Sequence, residues 1–99
     1  MNFSDHQKQI WKKMLKLTQD YLEDKIEFSY LVSGLEGALD ASDFKDNKLI
    51  KTWYDYWTPL EIINAETELE ISLQEKKRVV EQMKQYLETM LEDQASKIS

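Results

Sequence analysis

Apolar residues return along this chain every three or four positions, and each run is bounded by a recognisable start or stop. In the first run Ile10, Met14, Leu17 and Tyr21 mark one line, with Trp11, Leu15 and Leu22 beside it. That spacing is a wide helical stripe, and Lys8, Lys12, Lys13 and Lys16 fall on the opposite side. Ser4, followed three residues later by Gln7, forms a capping box. Its two side chains satisfy backbone N–H groups that a first turn leaves without partners. The spacing predicts a helix over 5–23.

A short link over 24–26 leads to a second run, Phe28, Leu31, Val32, Leu35 and Leu39. Links this short join helices running in opposite directions. Gly34 and Gly37 stand inside the pattern, each costing about 1 kcal/mol relative to Ala. With Ala38 and Ala41 they make a strip of small residues beside the bulky ones. Such a strip lets a neighbouring helix or a large ring come close to the backbone. An internal tryptophan seated there is the structural reading, and a notch for a partner is the functional one.

The longest polar connection spans 40–47, after which Leu49, Ile50, Trp53, Tyr56 and Trp57 resume helical spacing. Pro59 should interrupt this helix, because its ring opposes the carbonyl four residues back and biases Thr58 out of the α region. Thr58-Pro59-Leu60-Glu61 is also a good helix start, with Thr as cap, Pro in first place and Glu closing a capping box. Leu49, Trp53, Tyr56, Leu60 and Ile63 keep their rhythm through the proline. The expectation is a sharp kink, or two helices nearly end to end. Over 66–71 Leu69 and Ile71 alternate with acids, as in a turn or an extended link. Ser72 with Glu75 offers a further capping box. Val79, Val80, Met83, Tyr86, Leu87, Met90 and Leu91 then mark one face of a last helix ending near Asp93, with a frayed tail over 94–99.

The fold class expected is all-α, a small antiparallel four- to five-helix bundle with a proline break near Thr58-Pro59, in one domain over 1–99. Composition agrees with it. Two glycines and one proline in 99 residues leave few turns, and 41% hydrophobic with 32% charged residues is a globular balance. The absence of cysteine excludes disulfides, thiolate metal ligands and thiol nucleophiles. No stretch approaches the roughly 18 apolar residues of a membrane span, and the N-terminus lacks a signal pattern. A cytoplasmic protein with no membrane partner is expected.

Charge is concentrated in the middle of the chain. Between positions 34 and 70 nine carboxylates face three lysines, while acids and bases balance on either side, so the whole formal charge of −6 lies there. Nucleic acid is an unsuitable partner for such a surface. Catalytic chemistry has little to work with. His6 is the one histidine and sits in a first helical turn, no Gly-x-Ser-x-Gly elbow surrounds a serine, and no phosphate loop occurs. Facing Glu-x-x-His pairs are missing, 40–46 lacks the glycine and terminal glutamate of a calcium loop, and Glu66, Glu68 and Glu70 read as a solvated link. No catalytic residue, metal site or cofactor is expected, and the chain does not read as an enzyme.

What remains is an aromatic cluster within the acidic region. Trp53, Tyr56 and Trp57 share one helical arc that is either core or interface, with core the plainer reading, whereas Tyr54 falls on the flank near Ile50 and Glu61. Asp40, Asp43, Asp46, Tyr54, Asp55 and Glu61 are the candidate partner-binding residues. A tyrosine ringed by carboxylates engages Lys and Arg through charge-assisted hydrogen bonds and cation–π contact, so the partner expected is a basic protein. The lysines of the first helix read as a solvated face, or as partners for the acidic middle of a second copy. That second option makes a homodimer, and a self-associating helical scaffold or adaptor is the alternative function.

The run Tyr21-Leu22-Glu23-Asp24-Lys25-Ile26-Glu27-Phe28-Ser29-Tyr30-Leu31 resembles the opening of small helical immunity proteins of the colicin D immunity-like kind. In these a helix ends in a short acidic or glycine-containing link and the next begins with an Ile-x-x-Phe-type pattern; here Ile26 and Phe28 are one residue closer. The Trp-x-x-Leu-Glu-x-Ile spacing from Trp57 to Ile63 resembles small bacterial helical proteins of toxin–immunity loci. The resemblance implies a cytoplasmic bacterial antitoxin that binds and occludes a basic, nuclease-like toxin.

Overall fold

The computed structural model describes residues 3–65 and 71–96, which form four helices and no strand: α1 (Asp5–Leu22), α2 (Phe28–Ser42), α3 (Asn47–Ala65) and α4 (Leu73–Ser96). The all-helical expectation is met. At the start of α1 the Gln7 amide donates to Ser4 Oγ at 3.1 Å, and the Ser4 amide donates to Gln7 Oε1 at 3.0 Å. Beyond its end Asp24 adopts a left-handed backbone, φ 63°, in place of the glycine usual there. At α4 the Glu75 amide donates to Ser72 Oγ at 3.1 Å, while the Glu75 carboxylate pairs with Arg78. No helix among the described residues is long and apolar enough to cross a membrane.

Several boundaries differ from the pattern. α2 takes in Asp40, Ala41 and Ser42 before Asp43, at φ 55°, turns the chain out. The connection that follows is not wholly polar, because Phe44 is buried with its ring 4.9 Å from Phe3 and 5.7 Å from Trp11. One apolar residue between Asp43 and Lys45 has no period to announce it. Pro59 lies inside a single helix and does not divide it. The carbonyl that loses its bond belongs to Asp55, which is exposed, so water can take the place of the missing N–H. Trp57 and Leu60, on either side of the proline, are buried and hold the axis to the core. The frayed tail is also corrected: α4 runs on to Ser96, and Gln94 is buried and accepts the Phe3 amide at 2.9 Å, while 97–99 lie outside the described residues. The 66–70 part of the expected link lies outside the described residues.

Around the bundle α1 packs on α2, α2 on α3, α3 on α4 and α4 on α1. Trp11, Met14, Leu35, Trp53, Leu60 and Met83 fill the centre with no exposed surface. Two indoles also tie helices together, Trp11 Nε1 donating to Leu87 O at 2.8 Å and Trp57 Nε1 to Val32 O at 3.0 Å. The glycine strip receives no tryptophan. A methyl placed on Gly34 would stand 3.1 Å from Leu17 Cδ1 of α1, and one on Gly37 would meet nothing within 4 Å. Leucine fills the first notch because α1, with its leucine stripe, is the helix that packs there.

Candidate functional site

Tyr54 is positioned by the core beneath it. Trp53 and Trp57 stack on each other with centroids 5.9 Å apart, and the Tyr54 ring stands edge-on to both, at 5.2 and 5.5 Å. Its ring is therefore fixed on the α2 side of α3. That hydroxyl donates to Glu36 Oε2 at 3.3 Å. Partial burial holds the Tyr54 phenol above its ordinary range, and the charges of Glu36, Asp40 and Glu61 act in the same direction. The ring thus stays a neutral donor among carboxylates.

Four of the six expected residues gather here. Asp40 and Asp43, from the end of α2, join Tyr54, Leu39, Phe44 and Ile50 around a shallow hollow of about 220 Å³. Glu61 lies two turns beyond Tyr54, near enough for its charge to act on the phenol. Asp43 is paired with Lys45 at 3.0 Å, whereas Asp40, Glu61 and Glu36 form no ion pair among the described residues. Glu36 is the residue that sequence reasoning missed. Its signal was its place one turn before Asp40 on α2, but only the packing of α2 against α3 brings it to Tyr54.

The other two expected residues do other work. Asp46 caps α3: its Oδ1 accepts the Lys48 amide at 3.0 Å and the Leu49 amide at 3.3 Å. Asp55 is exposed, about 100° around the helix from Tyr54, and its charge acts on Tyr86 of α4 instead. Trp53 and Trp57 are core, while Tyr56 leaves that arc and stacks on Tyr86 at 4.6 Å, 39% exposed.

What the arrangement can do chemically is bind cations. It offers a held aromatic edge, a phenol hydroxyl and carboxylates with free lone pairs, all on one side of the α2–α3 pair. His6 is exposed, with Nε2 3.4 Å from Ala41 O, and among the described residues no three His, Asp or Glu side chains are placed to hold a metal. No protein-family model, curated protein or solved structure matches this chain.

Proposed function

We propose that the chain is a non-catalytic, stoichiometric binder of a basic protein, and that it acts as an immunity protein by covering a nuclease-like toxin in the cytoplasm. The observation that carries this reading is the grouping of Tyr54 with Glu36, Asp40 and Glu61 on one accessible surface. The carboxylates attract a cationic face and speed encounter, while the fixed tyrosine supplies contact area at small entropic cost. The resemblance of 21–31 and 57–63 to toxin-immunity proteins supports the same class of partner.

The scaffold in this reading is an antiparallel bundle bent at Pro59. What supports the antiparallel order is the meeting of opposite ends: Gln7 with Ser42, Tyr21 with Phe28, Phe3 with Gln94, and Lys77 with Asp24. Such a bundle presents α2 and α3 side by side, as a rigid face for docking.

The test uses the toxin domain encoded beside this gene, assayed for nuclease cleavage with increasing amounts of the purified chain. Inhibition should saturate at one to one and weaken as salt rises. Asp40→Lys and Glu61→Lys should each slow association, and Asp55→Lys should do so less, since it lies off the surface. Full inhibition by the Asp40→Lys/Glu61→Lys double variant would place the site elsewhere. An adjacent reading frame without a basic toxin domain would remove the immunity reading itself.

A further inference from the structure

The end of α2 is completed by side chains from another helix. A helix leaves its last four carbonyls without partners of its own, and in α2 these belong to Leu39, Asp40, Ala41 and Ser42. Leu39 O accepts the Ser42 hydroxyl, and Asp40 O accepts the Asp43 amide. The other two are met from α1: Gln7 Nε2 donates to Ser42 O at 3.2 Å, and His6 Nε2 lies 3.4 Å from Ala41 O. Phe3 extends the same contact. Its amide donates to Gln94 of α4, and its buried ring stands 4.9 Å from Phe44 and 5.1 Å from Trp11.

Phe44 is where this contact meets the candidate surface. It is buried in the wall of the hollow that Asp40, Asp43 and Tyr54 share, and Phe3 and Trp11 back it. Asp40 and Asp43 stand on either side of the two carbonyls that His6 and Gln7 meet. The chain over 43–46 belongs to no helix, so contacts of this kind fix its place. Neither Phe3 nor Gln7 lines the hollow itself.

We propose that Phe3 and Gln7 are positioning residues for the cation-binding surface. They clamp Phe44 and the end of α2, so that Asp40, Asp43 and Tyr54 keep one arrangement before a partner arrives. The proposal rests on the reading of that surface as the docking site for a basic protein, and extends it to residues the partner does not touch. A preformed surface removes the entropy cost of ordering the 43–46 link on binding, so loosening the clamp is read as lost affinity.

Two measurements on the full chain test it: amide hydrogen exchange without a partner, and calorimetric titration with an oligolysine peptide and with the toxin domain. Wild-type capture of the peptide should be lost in the Asp40→Lys/Glu61→Lys double variant. Phe3→Ala and Gln7→Met leave the charge unchanged; each should speed exchange at the Asp43 amide and weaken capture by roughly 2- to 30-fold. Phe3→Leu refills the space and should recover most of the affinity. Val80→Ala removes buried volume nearer the opposite end of the bundle, where Lys77 meets Asp24, and should show neither effect at equal folded concentration. If Phe3→Ala fails to fold, Gln7→Met decides, since Gln7 is outside the hydrophobic core. Unchanged exchange at Asp43 overturns the clamp. Faster exchange with unchanged peptide affinity overturns its part in binding, as does an equal loss in Val80→Ala. Capture of the peptide but not of the toxin ends the immunity reading alone, and the variants still decide this one. Capture of neither removes the surface and the proposal together.

Discussion

The two glycines of α2 should respond unequally to the same substitution. Gly37 is exposed, has no positive φ, and has nothing within 4 Å of where a methyl would sit. Gly37→Ala therefore gains helix propensity and loses unfolded-state entropy without meeting any atom. Stabilisation of about 0.5–1 kcal/mol follows. For a domain of this size that is a rise in Tm of roughly 2–8 °C. At Gly34 the same methyl stands 3.1 Å from Leu17 Cδ1 and 3.5 Å from Leu17 Cδ2. Leu17 is only half-buried and its end can rotate, so the strain is limited, but it offsets most of the propensity gain. Gly34→Ala should thus fall within about 1 kcal/mol of wild type and below Gly37→Ala. Urea unfolding followed by far-ultraviolet circular dichroism at dilute concentration, with a shared m-value, separates the two. Loss of stability in Gly37→Ala would refute the open environment described for it. Equal gains at both sites would refute the contact between Gly34 and α1.

Three further outcomes follow from other contacts. Asp46→Ala removes the cap that accepts the Lys48 and Leu49 amides, and should cost about 0.5–2 kcal/mol in urea unfolding. Gln94→Ala leaves the buried Phe3 amide without its acceptor and should cost about 1–3 kcal/mol in urea unfolding. Burial, with lesser contributions from Tyr56 and Asp55, pushes the Tyr86 phenol up to about 12. Unfolding lets that phenol ionise near its ordinary value, so stability should fall as pH rises from about 10 to 12, by roughly 1–2 kcal/mol after allowance for the water that still reaches the ring. Tyr86→Phe should flatten that fall and be no less stable at neutral pH, because the hydroxyl it removes is buried without a hydrogen-bond partner among the described residues. An unchanged pH profile in Tyr86→Phe would show that other groups govern the alkaline limb.

The local order of this protein is written in its local chemistry. The stripe from Ile10 to Leu22 and the Ser4–Gln7 capping box act over one or two turns, so sequence alone determined α1 to within a residue of its end. The same range of action put Tyr54 on the flank of α3 and Trp53 and Trp57 on its inner side. Contacts between helices were decided elsewhere. Phe44 is buried because Phe3 and Trp11 arrive from α1 and the residues before it, and Gln94 is held because the Phe3 amide lies opposite. Pro59 stays inside α3 because its neighbours are buried against the bundle while Asp55 faces water. At the candidate surface, six side chains looked equivalent along the chain. Packing of α2 against α3 selected Asp40, Asp43, Tyr54 and Glu61 and added Glu36, while Asp46 was taken up by a helix end and Asp55 was turned away. Hydrophobic period specifies which side of a helix is buried, but the helix that covers it is chosen by close packing among side chains far apart in the chain.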